Sequence, residues 1–68
     1  MLGEVVSFDD VVGLGVISSA GGASYRFHCI EIVDGSRTIA PGTPVEFELL
    51  PKLGRYEAAV VTKLATSS

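Results

Sequence analysis

The run Tyr25-Arg26-Phe27-His28-Cys29-Ile30 holds the chain's one histidine and one cysteine side by side, with an arginine two residues before the histidine. Nucleophilic chemistry would need the thiol and the imidazole to converge. Adjacent residues on a regular strand point to opposite faces, and no carboxylate is placed in the sequence to orient His28. Structural zinc needs four ligands, and one Cys plus one His falls short. Cys29 therefore reads as a small buried hydrophobe. What the spacing does allow is recognition. Arg26 and His28, two residues apart, share one face of a strand, where a guanidinium plane and an imidazole ring can stack on flat groups or meet anions. The expectation is a non-enzymatic protein without metal or cofactor.

Such a face needs a frame. Apolar runs are short, rich in Val, Ile, Phe and Tyr, and separated by Gly, Pro, Asp and Ser, which predicts several short strands. The expected strands are Glu4–Phe8, Leu14–Ser19, Ser24–Ile30, Val45–Leu50 and Tyr56–Leu64. Asp9-Asp10 opens a turn that Gly13 closes, and Ala20-Gly21-Gly22-Ala23 makes a tight connection. A short helical turn can form around Glu31–Asp34. Val33–Arg37 carries turn chemistry, Pro41–Pro44 breaks the chain, and Pro51–Arg55 reads as a loop. In the fourth strand Val45, Phe47 and Leu49 alternate with Glu46 and Glu48, giving one buried face and one wet acidic face. Tyr25, Phe27, Phe47 and Tyr56 are assigned to the core or its edge, and Ala65–Ser68 to a frayed tail. A lone sheet of this length would leave edges and an apolar face exposed, so closure into a barrel is expected. The first three strands form an antiparallel meander, and the count of five suits a five-stranded antiparallel Greek-key barrel, the OB-fold. An SH3-like barrel is the runner-up.

Composition bounds the rest. At 68 residues, 47% hydrophobic and 19% charged, the chain suits one domain over 1–68 with an ordered core of about 3–64, and not a disordered tail. A single cysteine excludes an intrachain disulfide and fits a reducing setting. Neither a signal peptide nor a membrane-length apolar run is visible, so a cytoplasmic location is expected. The net charge of -3 gives no bulk attraction to a phosphate backbone. A local basic patch still acts within a Debye length of ~8–10 Å.

From Gly3 to about Leu64 the chain resembles the cold-shock domain family. Gly3-Glu4-Val5-Val6-Ser7-Phe8-Asp9 is similar to that family's opening Gly-x-Val-Lys-Trp-Phe-Asn. Val12-Gly13-Leu14-Gly15-Val16-Ile17 resembles its first nucleic-acid motif, Lys-Gly-Phe-Gly-Phe-Ile, and Tyr25-Arg26-Phe27-His28-Cys29 its second, Val-Phe-Val-His-Phe. Ile39–Phe47 and Glu57-Ala58-Ala59-Val60-Val61 are similar to its later segments. The resemblance implies an OB-fold of cold-shock type whose outer face stacks the bases of single-stranded RNA or DNA. Most of the stacking residues are replaced here. Ser7 stands for Trp, Leu14 and Val16 for two Phe, Arg26 and Cys29 for two more, and Val6 and Val12 for two Lys. Each base–aromatic stack is worth ~1–3 kcal/mol, so losing three would weaken binding by up to ~3–9 kcal/mol if the terms added.

The expected nucleic-acid face is a reduced platform of Phe8, Leu14, Val16, Arg26 and His28, flanked by Arg37 and Arg55. It would bind single strands weakly and with little sequence preference, in a regulatory or RNA-chaperone-like role. The alternative is a protein-interaction or self-associating module. Aliphatic residues such as Leu14 and Val16 on an exposed sheet face commonly mark a covered surface.

Overall fold

The computed structural model describes residues 1–64. Five strands are present: β1 (Leu2–Asp9), β2 (Leu14–Ser19), β3 (Ser24–His28), β4 (Pro44–Lys52) and β5 (Arg55–Lys63). They close into a barrel in the order β1-β2-β3-β5-β4, with β4 returning to β1. This all-β, five-stranded closed barrel is consistent with an OB-like barrel. Every neighbouring pair is antiparallel except β3 and β5, which run parallel through Arg26 and Glu57. The expected all-antiparallel arrangement is corrected at that one seam. The parallel pairing needs no hairpin, because a 3-10 turn, the segment after it and β4 all separate β3 from β5 in the chain.

The boundaries of β2 match expectation, and the other strands differ for local reasons. β3 stops at His28 instead of Ile30, because Cys29–Glu31 forms a 3-10 turn, η1, closed by Ile32 N–H donating to the Cys29 carbonyl. The helical turn thus falls two residues earlier than expected and leaves Ile30 in solvent, 83% exposed. Pro51–Arg55 is not a loop. β4 and β5 continue to Lys52 and Arg55, which face each other, and only Leu53-Gly54 turns the hairpin, with Gly54 at φ +75°. Glycine takes that left-handed φ without a Cβ clash. The extension carries Tyr56 past the end of the barrel. It is 58% exposed, so its assignment to the core is corrected. Ala65–Ser68, expected to fray, lie outside the described residues.

The core consists of Val5, Ile17, Phe27, Ile32, Ile39, Val45, Phe47, Ala58 and Val61, with Phe8, Tyr25, Cys29 and Leu49 packed against it. Period-two alternation put Val45 and Phe47 inside and left Glu46 and Glu48 outside. Ile39 comes from the segment between η1 and β4. That segment is tied to β1 by Gly42 N–H donating to the Val5 carbonyl and Val5 N–H to that of Thr43.

Gly15 is a point of close approach. It sits opposite Phe8 in the β1–β2 ladder and opposite Phe27 in the β2–β3 ladder, and those two rings stack at 5.9 Å. A Cβ on Gly15 would lie 2.5 Å from the Phe27 ring and 2.9 Å from that of Phe8. Val60 is the one non-glycine described residue with positive φ, +51°. It lies where the β4–β5 register slips between Glu46 and Glu48, the mark of a bulge. Its freed N–H donates to Glu31 Oε1 at 3.3 Å.

Three substitutions test this packing. Gly15→Ala should cost about 2 kcal/mol through overpacking, a fall in Tm of roughly 8–16 °C by thermal melt. Gly21→Ala, with nothing nearer than 3.9 Å, should stay within ~0.5 kcal/mol. Val60→Gly should be neutral or stabilising, because relief of ~1–2 kcal/mol of left-handed strain offsets a glycine entropy cost of ~0.5–1 kcal/mol. A loss above ~1 kcal/mol in denaturant titration would show that the Val60 side chain contributes more than its strained backbone costs.

Candidate nucleic-acid interface

The ladders place the outward residues of four strand pairings in rows. One row runs Ser7, Val16, Arg26, Glu57, Leu50 across β1, β2, β3, β5 and β4. The next runs Asp9, Leu14, His28. Between them lies an open groove of about 230 Å³ lined by Ser7, Phe8, Asp9, Leu14, Gly15, Val16 and Arg26. Four of the seven expected site residues, Phe8, Leu14, Val16 and Arg26, therefore meet in one groove.

Their environments differ. Arg26 is exposed, Leu14 is 36% exposed, and Val16 is half-buried. Phe8 is also half-buried because Gly15 has no side chain to keep it off Phe27. Its ring forms the floor of the groove and does not stand free as a stacking surface. Gly13, at φ +73°, ends the turn after β1 by donating its N–H to the Asp9 carbonyl at 2.8 Å. Its own carbonyl accepts from Cys29 N–H at 2.8 Å, which pins the end of β3 beside the start of β2. Cys29 is a free, half-buried thiol lying against Gly13, in keeping with a small hydrophobe.

The remaining three residues are not in the groove. His28 borders it as the partner of Leu14, with its side chain 53% exposed. Arg55 begins β5, one strand beyond Arg26, and its guanidinium is held by Glu57: Nε donates to Oε2 at 3.0 Å and the Nη2 atom lies 2.9 Å from the same oxygen. Arg37 lies elsewhere, in a second depression with Cys29, Ile30, Ile32, Gly35 and Ser36. It does not flank the groove.

Glu57 is the residue of this face that the sequence did not single out. Only 6% of it is exposed, yet it belongs to the outward row between Arg26 and Leu50. Its Oε1 lies 3.9 Å from His28 Nε2, so His28 does have a carboxylate beside it, brought from 29 positions along the chain by the parallel β3–β5 seam. The signal available in sequence was a charged residue inside an apolar strand, preceded by Tyr56 and followed by Ala58 and Ala59. Hydrogen bonding from Arg55 holds the Glu57 carboxyl below its ordinary 4.5, against the opposing effect of burial, with the charges of Arg55, Lys52 and His28 adding to the lowering. Asp34 is held below its ordinary 3.8 by hydrogen bonds from Ser36, with Lys63 adding to the effect at 3.2 Å.

At the other end of the groove Asp9 Oδ1 accepts the Val11 N–H at 3.0 Å. The face thus carries Arg26 between two carboxylates, Asp9, with no cationic partner among the described residues, and Glu57, paired with Arg55. Among the described residues no group of three or more His, Cys, Asp or Glu is placed to hold a metal ion, and no helix is long and apolar enough to cross a membrane. Compared with known proteins, the sequence matches no family model and no curated protein.

The lowered Glu57 carboxyl has a pH consequence. Below pH 4.5 the unfolded glutamate takes up a proton while the folded one stays ionised. The stabilisation is present in full above that value and is lost as pH falls through the lowered folded value. Thermal melts should show Tm dropping on acidification below about pH 4.5, and Glu57→Gln should flatten that part of the profile. An unchanged profile would remove Glu57 from the acid response.

Proposed function

We propose that the protein is a small, non-enzymatic module that binds single-stranded RNA or DNA weakly and with little sequence preference. It would be an OB-fold of cold-shock type with Greek-key connections, acting in the cytoplasm in a regulatory or RNA-chaperone-like role. The observation that carries the proposal is the open groove on β1–β3, where Leu14 and Val16 form an apolar wall, the Phe8 ring the floor, and Arg26 an exposed guanidinium at the rim. A base can lie on the aliphatic wall, and Arg26 can stack on it or pair with the neighbouring phosphate. OB barrels use this strand region for oligonucleotides. With the free aromatic platform reduced to the half-buried Phe8 and the bordering His28, affinity should be low, with Kd of ~0.1–1 mM at low salt.

A protein-binding face is the second reading. The observation favouring it is that Asp9 and Glu57 stand in the same rows as Leu14 and Val16, so the patch is apolar and nearly neutral where a phosphate binder would be basic.

An amide chemical-shift titration with a short oligothymidylate or oligouridylate separates the two. Binding should move Ser7–Asp9, Leu14–Ile17 and Arg26–His28, weaken with salt, and fall about fivefold or more in Arg26→Glu. The absence of shifts at millimolar oligonucleotide in a folded sample would overturn the proposal. Self-association abolished by Leu14→Asp or Val16→Asp would then establish the protein interface.

A further inference from the structure

Cations are unevenly placed on this acidic protein. Of its five Lys and Arg, three stand around one point. Arg26 is the register partner of Glu57, Arg55 holds the Glu57 carboxylate, and Lys52 faces Arg55 across the hairpin. Lys63 is taken up by Asp34 at 3.2 Å, and Arg37 lies in a different depression. The three clustered side chains sit on three adjacent strands and two residues apart along them, a spread of roughly 12 Å at ~4.8 Å per strand and ~3.3 Å per residue. The cluster is therefore about one Debye length across and acts locally whatever the net charge. It continues from the Arg26 rim of the groove onto the β4–β5 hairpin. On the β4 side it is bounded by Glu48, one alternation back from Leu50 on the outer face.

We propose that the hairpin residues Lys52 and Arg55 extend the nucleic-acid face as a track for the phosphate backbone of a single strand whose bases enter the groove, and that Glu57 sets its affinity low by holding Arg55. This rests on the nucleic-acid reading of the groove and deepens it. A strand lying in the groove and leaving past Arg26 meets the hairpin cations next, because turning the other way along β4 brings it to Glu48 and Glu46. Glu57 opposes it in two ways. Its charge lies beneath the path, and its Oε2, which meets both Nε and Nη2 of Arg55, keeps that guanidinium from turning to a phosphate. Charge-assisted bonds of this kind are strong, so a phosphate must compete with a carboxylate already in place. Glu57 is thus an affinity-setting residue that acts through Arg55.

The test is titration of the intact protein with an oligothymidylate octamer at several salt concentrations, for the parent, Glu57→Gln, Lys52→Glu and Arg55→Glu. Glutamine keeps an acceptor for Arg55 but drops the charge. Glu57→Gln should bind about three- to tenfold tighter at low salt. Its log Kd against log salt should steepen by about 0.7, the equivalent of one further phosphate on a single strand. Lys52→Glu and Arg55→Glu should each weaken binding and shift the hairpin amides out of the response, while the groove amides still respond. A purely structural Glu57 would alter the melt and leave the salt slope unchanged. Groove shifts in the parent with no change of slope or affinity in Glu57→Gln, and no loss in Lys52→Glu, would overturn the track and leave the groove reading standing. Loss of all binding in the parent and in Glu57→Gln would overturn both.

Discussion

The absence of a side chain at Gly15 is the constraint on which the face depends. It lets Phe8 and Phe27 stack across β2 at 5.9 Å, and that stack locks β1, β2 and β3 into register. With the register set, the outward positions must be Ser7 and Asp9, Leu14 and Val16, Arg26 and His28. The same contact draws Phe8 toward the core. One interaction therefore builds the sheet and sinks the groove's phenylalanine to its floor. A one-residue slip would reverse every side chain on these strands, so close packing at Gly15 protects the composition of the groove as well as the stability of the barrel.

Charge supplies the second constraint. A barrel with a net charge of -3 must place its few cations well to meet an anion at all. The parallel β3–β5 seam gathers Arg26, Arg55 and Lys52 around Glu57, and the carboxylate then neutralises part of what was gathered. A buried Glu57 without Arg55 would carry a desolvation cost with little to offset it, and an Arg55 without Glu57 would be a mobile surface cation. The pair is best understood together, as a structural tie at the barrel seam and as the feature that determines how basic the seam looks to an incoming strand.

The bulge at Val60 belongs to the same seam. Beyond Ala59 the β5 strand must turn from pairing with the hairpin to pairing near the barrel mouth, and one extra residue in a left-handed conformation provides the bend. Glu31 from η1 caps the freed N–H. The short 3-10 turn thus does more than connect strands. It supplies the acceptor that the bulge requires and displaces Ile30 into solvent in doing so.

Local patterning made much of this legible. Alternation at Val45–Leu49 located the buried and wet faces of β4, the glycines at 13 and 21–22 located the turns, and the two-residue spacing of Arg26 and His28 put them on one face. These are properties of short peptides, set by side-chain period and backbone sterics, and they need no knowledge of what lies elsewhere in the chain. Pro51 and Gly54 signal a break equally well in a loop and at the tip of a long ladder, so the length of the hairpin and the exposure of Tyr56 do not follow from them. What the tertiary structure alone decided was the meeting of distant segments: Glu57 beside His28 and Arg55, Arg37 away from the groove, and Phe8 folded onto Phe27. Those outcomes depend on which strand closes against which and in what direction. The sequence around Arg26 is the same whether its next neighbour is β5 or water, so only closure of the barrel could place Glu57 opposite that arginine in the ladder.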